Sequence, residues 1–585
     1  MKLKIINKDL ENSTKEKLEK YYENNFIPAE KKNYLTDLSR CVGPYLACSS
    51  TTGESHWLLD AASQIATLGL GFNHSAFMGT AHYLSSWTND KESAEFKSIR
   101  LGFESFLARS LKRKSVSTTF CNSGAEANEI ALGHCFKNRP SNKANKILAF
   151  EGSFHGRLLM SLQSTWNPSK REPFEWPGFD TIFCPSPALA DEKINLPLPN
   201  NWCDFWDSSA STNIEVPADW KLDPIMEGEV KSLLKVRTEL LTGAIFSIIV
   251  EPMQCEGGDR YLSNRFFTAL LLMAKAFRVG TIFDEVQTGF HLGEDFFWHM
   301  QFDLRGPDNN PLIPEHIVCA KKAQIGLVIS DVPNNEDTEE FQVASVIRGY
   351  HHAVTLDQNK AKILKLAELN RNFLSKFCSQ FSNFVESPRG LGLCFAFDLK
   401  NKEHTGKFIA NRFDYGLLFY PAGDNTLRFR LNLAFGEKDL EFLYASLTAI
   451  AEFVFNSNRV APPTHIETNE RHTEELYIWQ HNLLMAKLNC VKDEKATLES
   501  TVAELEHHFK EAHGFSFEVI TEGNFQNIEK EIVQLQKNVY EPVRQTPIEK
   551  FKTATQHPNS ICLALRKNNE LAAICFAGPL KLFPY

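Results

Sequence analysis

The chain has 585 residues, 43% of them hydrophobic, and a formal net charge of −9, which indicates a soluble protein of roughly two to four domains. Without a basic surplus, nucleic acid is not expected as a main partner, and no segment reaches the roughly 18 apolar residues that a membrane span requires. The 13 cysteines form no Cys-x-x-Cys pair and the N-terminus has no apolar core. We therefore expect a reduced, cytoplasmic protein without a signal peptide, and we predict no metal site.

The first informative segment runs from Thr118 to Glu129. β-Forming residues precede an Asn-Ser-Gly-Ala sequence, and a helical pattern of apolar residues follows it. Ser123, Gly124 and Ala125 therefore stand at a predicted helix start, where backbone N–H groups that the helix does not use can bind phosphate. An ordinary strand-to-helix turn, with glycine for tightness, is the alternative.

Two further segments carry side chains suited to binding a ligand. Gly152–Arg157 contains Phe154, which can stack on a cofactor ring, and Arg157, which can bind a carboxylate; a surface turn is the alternative. Ala244–Gly258 begins as a nearly continuous apolar run, typical of a strand buried in a parallel sheet. Because ligands bind at the carboxyl ends of such strands, Glu256 in the following turn is a candidate site residue.

A strand-end aspartate and a strand-end lysine come next. The apolar strand Val279–Phe283 leads into Asp284, and a second apolar stretch, Ile317–Ala320, leads to Lys321 and Lys322. Pyridoxal phosphate needs such a pair, because a lysine amine forms a Schiff base with its aldehyde and a carboxylate keeps its pyridine nitrogen protonated. Solvated surface residues are the alternative interpretation of the pair taken alone.

The last of these motifs lies on a predicted strand with the sequence Thr426-Leu-Arg-Phe-Arg430. Alternation puts Leu427 and Phe429 on one face and Arg428 and Arg430 on the other. An exposed arginine stripe on an edge strand is the alternative.

Together these motifs resemble those of the class III aminotransferases. The resemblance rests on five sequences in order: Asn-Ser-Gly-Ala-Glu-Ala-Asn-Glu, Phe-His-Gly-Arg, Val-Glu-Pro-Met-Gln-Cys-Glu-Gly-Gly-Asp, Phe-Asp-Glu-Val-Gln-Thr-Gly and Ala-Lys-Lys-Ala-Gln. It covers roughly residues 30–455 and is closest to L-lysine 6-aminotransferase and 4-aminobutyrate aminotransferase. It implies pyridoxal 5'-phosphate as cofactor and the type I α/β fold, which has a large domain with a mostly parallel sheet flanked by helices and a smaller α+β domain. It also implies a homodimer with active sites at the subunit interface.

The resemblance further implies a role for each site residue. Lys321, rather than Lys322, would form the Schiff base and transfer the proton, and Asp284 would pair with the pyridine nitrogen. The phosphate would be bound by Ser123, Gly124 and Ala125, Phe154 would stack on the ring face, and Gln287 would bind the ring hydroxyl. The two carboxylates of 2-oxoglutarate would be bound by Arg157 and Arg428. Glu256 would pair with Arg428 when an amine donor without a nearby carboxylate is bound.

The expected reaction is transfer of the terminal amino group of L-lysine to 2-oxoglutarate by a ping-pong mechanism, with 4-aminobutyrate and ornithine as alternative donors. A second alternative is an inactive aminotransferase fold that serves as an interaction platform. It is motivated by Val346–Thr355, where the family has a threonine-containing loop that binds the cofactor phosphate of the neighbouring subunit. Here Gly349 stands in the threonine position, and His351 and His352 replace paired glycines, where they would crowd the backbone or supply a different phosphate donor.

The rest of the chain predicts a helical linker and a short α+β domain. Residues 468–513 lack proline and glycine and have heptad-like leucines, which predicts a long helix, either in a coiled coil or packed on its own body. A strand, two helices and a hairpin are expected over 515–578, an order similar to the start of a Gcn5-related acetyltransferase, but without that family's pyrophosphate loop, so no acetyl-CoA binding is predicted. The predicted division is a small-domain segment (1–80), the cofactor-binding domain (81–344), the rest of the small domain (345–455), the linker (456–513) and the partial domain (514–585).

Overall fold

The computed structural model describes residues 34–36, 41–50, 55–74, 93–174, 180–191, 193–210, 214–331, 341–463, 515–539, 545–556, 561–567 and 569–577. The chain divides into two compact units, residues 1–483 and 484–585. The long helix predicted for 468–513 lies outside the described residues, and the finer division into domains stays a prediction.

The described part of the first unit contains strands and helices in the alternating order of an α/β protein. Its strands are β1 (Tyr34–Thr36), β2 (Tyr45–Ser50), β3 (Ser55–Asp60), β4 (Ser117–Cys121), β5 (Lys146–Phe150), β6 (Thr181–Cys184), β7 (Ile245–Val250), β8 (Met253–Gln254), β9 (Arg260–Tyr261), β10 (Gly280–Asp284), β11 (His316–Cys319), β12 (Gly326–Ser330), β13 (Val385–Leu391), β14 (Cys394–Leu399), β15 (Leu417–Leu418), β16 (Tyr420–Ala422) and β17 (Thr426–Arg430). Its helices are α1 (Ala94–Ser110), α2 (Gly124–Lys137), α3 (Leu159–Gln163), α4 (Pro168–Arg171), α5 (Trp202–Asp207), α6 (Pro224–Leu241), α7 (Asn264–Phe277), α8 (Val343–Gln358), α9 (Lys360–Gln380), α10 (Lys402–Asn411) and α11 (Glu437–Asn456).

A seven-stranded sheet in the order β4-β12-β11-β10-β7-β5-β6 forms the centre of the first unit. The pairs among β11, β10, β7, β5 and β6 are parallel, and β12 runs antiparallel to both of its neighbours. Every residue of β7 is buried, as its continuous apolar run predicts for a strand covered on both faces. The predicted α/β fold with a mostly parallel sheet is therefore confirmed, and the carboxyl ends of its strands form one edge.

A second, antiparallel sheet has the order β13-β14-β17-β16. Strand β17 lies between two neighbours, and its residues Leu427 and Phe429 belong to the hydrophobic core. Arg428 and Arg430 are 8% and 2% exposed. The alternative of an exposed arginine stripe on an edge strand is wrong, because both guanidinium groups are enclosed by neighbouring polar groups of the same unit.

The second unit has the predicted order of one strand, two helices and a hairpin. Its described elements are β18 (Phe515–Val519), α12 (Phe525–Val539), α13 (Ile548–Gln556), β19 (Ile561–Lys567) and β20 (Glu570–Ala577). The strands form an antiparallel sheet in the order β18-β19-β20, and Phe525, Ile528 and Ile532 of α12 pack in its core. Among the helices that the structure describes in either unit, none combines the length and apolar character needed to cross a membrane.

We predict that Arg430→Met strongly destabilises the first unit. Both oxygens of the Asp259 carboxylate accept hydrogen bonds from Arg430 at 2.6 Å, and both residues are buried, so the variant leaves a buried carboxylate without its cation. Removal of one partner of a buried pair costs about 3–5 kcal/mol. The measurement is the shift of the urea unfolding midpoint.

Arg371→Met is the matched control, because the ion pair of Arg371 with Glu294 is partly exposed and contributes at most about 1 kcal/mol. Equal midpoint shifts for the two variants would contradict the prediction.

Candidate functional site

A cavity of about 640 Å³ opens at the carboxyl edge of the central sheet. All of the residues predicted for the site line it: Ser123, Gly124, Ala125, Phe154, Arg157, Glu256, Asp284, Gln287, Lys321 and Arg428. They come from segments far apart in the sequence, and the strands bring them together as expected for a ligand site of an open α/β sheet. Their individual roles stay predictions.

One wall of the cavity is the beginning of α2, which follows β4 after a short turn. Ser123 is the N-cap residue, and its side chain accepts a hydrogen bond from the backbone N–H of Glu126. At Gly124 a Cβ atom would lie 2.7 Å from the methyl groups of Val286, so only glycine fits. The backbone N–H groups of Gly124 and Ala125 have no acceptor within the helix, which leaves them for an anion in the cavity.

The Asp284 carboxylate is fixed from several sides. Asn128 donates its side-chain amide to Oδ2 at 2.9 Å, the backbone N–H of Val286 donates to Oδ1 at 3.0 Å, and Nδ1 of His155 lies 2.8 Å from Oδ2. The carboxylate is 4% exposed, so these contacts hold it in one orientation. It can pair with a protonated ring nitrogen of a bound heterocycle.

A second buried carboxylate, Glu251, also lines the cavity. It accepts hydrogen bonds from the backbone N–H groups of Phe154 and Cys255. Burial, together with the negative charge of Asp284, raises the pKa of Glu251 well above its ordinary value.

The adjacent lysines occupy different environments. Lys321 follows β11, has a φ of +55° and lines the cavity, where its Nζ donates to the backbone oxygen of Ile65 at 3.1 Å. Lys322 is 3% exposed, and its Nζ donates to the backbone oxygen of Gln287 at 3.0 Å. Burial, reinforced by the cationic Arg428, lowers the pKa of Lys321 to about 8. The preference for Lys321 over Lys322 agrees with this geometry, since only the first amine faces the cavity.

The backbone that receives the Lys321 amine is a left-handed turn. Residues Ser63–Ala66 all have φ between 45° and 61°, although none is glycine. The Asp60 carboxylate accepts from the backbone N–H groups of Ala62 and Gln64, and Ser63 donates its hydroxyl to the backbone oxygen of Arg430. These bonds stabilise a backbone conformation that L-residues disfavour.

The opposite end of the cavity contains a carboxylate between two cations. Arg428 donates to the Glu256 carboxylate at 3.1 Å and to the backbone oxygen of Cys255 at 3.0 Å. Lys170 donates to the other oxygen of Glu256 at 2.6 Å, and its Nζ lies 4.8 Å from the ring centroid of Phe154. Burial alone would raise the pKa of Glu256, but Arg428 and Lys170 lower it. Glu256 is therefore a fixed anion with two alternative partners.

Two predicted residues of this region differ in how they are held. The side-chain oxygen of Gln287 accepts from Nε of Arg430 at 2.9 Å, which orients the amide. Arg157 is exposed at the rim and has no ion pair with any residue that the structure describes. Its guanidinium is thus available to an anionic ligand.

The segment Val346–Thr355, expected as a loop by comparison with the family, belongs to helix α8 instead. Buried apolar residues at helical spacing anchor the helix to the core, and at Gly349 a Cβ atom would lie 2.3 Å from the backbone oxygen of Ala323. Glycine therefore serves close packing here rather than a turn. Neither His351 nor His352 lines the cavity, whereas Arg348 does.

Sequence reasoning missed several residues of this site. Asn128 and His155 lie inside recognised motifs, but only the folded chain brings both onto Asp284. Glu251 ends a recognised strand, and its burial beside a second carboxylate could not be read from the sequence. Lys170 had no signal, because it lies on a helix outside the motifs. Arg348 lies inside the segment 346–355, where the sequence signal came from Gly349 and the two histidines.

Both the sequence and the fold of the chain are similar to those of known proteins. The family model for Aminotransferase class-III matches residues 26–451. A probable mitochondrial 4-aminobutyrate aminotransferase of Caenorhabditis elegans is 24% identical over 450 residues, which is 70% of this chain and 86% of the relative. The L-lysine-epsilon aminotransferase of Mycobacterium tuberculosis is 26% identical over 451 residues, 70% of this chain and 90% of the relative. The solved lysine aminotransferase from M. tuberculosis superposes with a TM-score of 0.61 at 22% identity, covering 75% of this chain and 99% of that one.

The two lysines give a testable difference in reactivity. Treatment with pyridoxal 5'-phosphate, then borohydride and peptide mass spectrometry, should label Lys321 and leave Lys322 unlabelled. Labelling should increase as the pH rises through about 8, because the neutral amine is the nucleophile and its fraction grows above the pKa. Lys322→Met should label like the parent protein, whereas equal labelling of both lysines, or labelling independent of pH, would contradict the assignment.

Proposed function

Because the chain belongs to the class III aminotransferases, which are pyridoxal-phosphate-dependent transaminases, we propose that it transfers the terminal amino group of L-lysine, or of a similar ω-amino acid, to 2-oxoglutarate. The observation that carries the proposal is the Glu256–Arg428 ion pair inside the cavity, at 3.1 Å. It lets one pocket accept two unlike substrates in turn. The expected homodimer is part of the same proposal.

The residues of the cavity fit the family's cofactor. The first turn of α2, with Ser123 as its cap, can hold a phosphate group without a charged side chain. Asp284 offers an oriented carboxylate for the pyridine nitrogen, and Phe154 offers an aromatic face. When bound, pyridoxal phosphate supplies an electron sink for the carbon that bears the substrate amine.

Lys321 is proposed to attach the cofactor and to move the proton. Its pKa of about 8 leaves a substantial neutral fraction at mildly alkaline pH, as a general base requires. With the substrate amine in place, the neutral Nζ of Lys321 would remove the proton from the substrate's terminal carbon and hold it for return to the cofactor. The neighbouring backbone oxygen of Ile65 accepts a hydrogen bond from the amine in the resting state.

Glu256 and Arg428 are proposed to switch partners between the two half-reactions. The reacting end of an ω-amino donor has no carboxylate, so Arg428 can stay paired with Glu256. In 2-oxoglutarate a carboxylate adjoins the reacting carbon and needs the guanidinium of Arg428, while Arg157 binds the distal carboxylate. Lys170 then keeps Glu256 paired, since the two already share a hydrogen bond of 2.6 Å.

The direct test is an absorption spectrum of the purified protein with pyridoxal phosphate, before and after addition of L-lysine. We expect a visible band of the lysine-bound cofactor that is replaced by the band of the aminated cofactor, and recovers with 2-oxoglutarate. A response to 4-aminobutyrate or ornithine but not to lysine would keep the reaction and change the donor. No band would overturn the proposal in favour of an inactive fold.

We predict that Lys170→Met raises the KM for 2-oxoglutarate and leaves the half-reaction with the amino donor within about twofold. Without Lys170, Glu256 competes more strongly with the substrate for Arg428. The expected increase is about three- to tenfold, because solvent screens this partly exposed pair. Single-turnover kinetics of each half-reaction are the measurement.

Lys170→Arg is the conservative control and should retain the KM of the parent protein. Adding Glu256→Gln to Lys170→Met should lower the KM for 2-oxoglutarate again, because the competing anion is gone. Equal losses in both half-reactions would show that Lys170 does not act through Glu256.

A further inference from the structure

Arg348 is a cation at the cavity that the switch between substrates does not use. It lies on α8 and lines the cavity together with Gln324 and Ile325. The next residue, Gly349, packs against the turn after Lys321, since its Cβ atom would lie 2.3 Å from the backbone oxygen of Ala323. This close packing fixes the helix, and with it the start of the Arg348 side chain.

The packing of its neighbours puts Arg348 on the phosphate side of the cavity. A Cβ atom at Gly349 would lie 3.6 Å from a methyl group of Ile325, and one at the adjacent Gly326 would lie 2.4 Å from the backbone oxygen of Ser123. The chain of contacts therefore runs from α8 through the start of β12 to the cap of α2. The ion pair of Arg428 with Glu256 lies at the opposite end of the cavity, where Glu256 belongs to the turn that follows β7.

No carboxylate neutralises Arg348 within the part of the chain that the structure describes. Its Nη2 makes one long hydrogen bond, 3.4 Å, to the hydroxyl of Ser345, and its Nε is buried without an acceptor among the described residues. Burial lowers the pKa of Arg348, which is the sign of a charge whose lost hydration is not compensated. An anion bound in the cavity would supply the missing charge.

We propose that Arg348 binds the phosphate group of the cofactor from within the same chain. The inference rests on the cofactor of the proposed function. In the family a threonine from the neighbouring subunit is expected to contact this phosphate, and here Gly349 stands in its place. An arginine can donate two parallel hydrogen bonds to a phosphate, so it compensates for a lost hydroxyl donor. The α2 N-terminus and Arg348 then enclose the phosphate from two elements of one chain.

The test compares the affinities of the cofactor-free full chain for pyridoxal phosphate and for pyridoxal, which lacks the phosphate. Equilibrium dialysis gives both dissociation constants without any turnover. For Arg348→Met we expect the affinity for pyridoxal phosphate to fall about 10- to 100-fold, while that for pyridoxal changes less than about twofold. Inorganic phosphate should compete with pyridoxal phosphate in the parent protein and much less in the variant.

Arg371→Met, which removes a half-exposed arginine on α9, is the control and should leave both affinities unchanged. If circular dichroism shows that Arg348→Met is not folded, Arg348→Gln decides by the same ratio of affinities. If the ratio of the affinity for pyridoxal phosphate to that for pyridoxal is the same in the variant and the parent protein, the role of Arg348 is overturned and the proposed function stands. A parent protein that binds neither compound overturns the proposed function itself.

Discussion

Three buried arginines hold the turn 255–259, and the geometry of the substrate end of the site depends on them. Arg430 neutralises the Asp259 carboxylate, and Arg389 donates to the backbone oxygens of Gly258 and Asp259. Arg428 donates to the backbone oxygen of Cys255 and to the carboxylate of Glu256. All three arginines belong to the antiparallel sheet, so the orientation of a turn near the middle of the chain is set by strands that follow it by more than a hundred residues. Such buried pairs are costly to break, which keeps Glu256 in a defined position in the cavity wall.

The same dependence explains what could be predicted from the sequence. Strands β7, β10 and β11 are mostly apolar, so their burial and the carboxyl-end positions of Asp284 and Lys321 follow from local pattern. A loop is expected at 346–355 because the family has one there, but buried apolar residues at helical spacing place this segment in helix α8. The contacts around Asp284 could not be predicted, since they come from Asn128 on helix α2 and from His155 in the loop after β5, which only the folded chain brings together.

The site also concentrates backbone strain where the reactive amine lies. Four successive left-handed residues, Ser63–Ala66, would cost roughly 1–2 kcal/mol each, and Lys321 itself has a positive φ. Hydrogen bonds from Asp60, and between Ser63 and the chain around Arg430, offset that cost. Strand β3, which ends at Asp60, the central sheet and the antiparallel sheet thus have to be folded together before the Lys321 amine acquires its acceptor, the backbone oxygen of Ile65.

The contact between Gly124 and Val286 has a consequence for ligand size. Val286 lies two residues after Asp284, and a Cβ atom at Gly124 would lie 2.7 Å from its methyl groups, so the start of α2 and the end of β10 touch without slack. This contact fixes the span between an anion at the helix start and a ring at the carboxylate. The cavity therefore selects ligands by the length of the linker between ring and phosphate. An analogue with one extra methylene in that linker could contact the start of α2 or the Asp284 carboxylate, but not both at once.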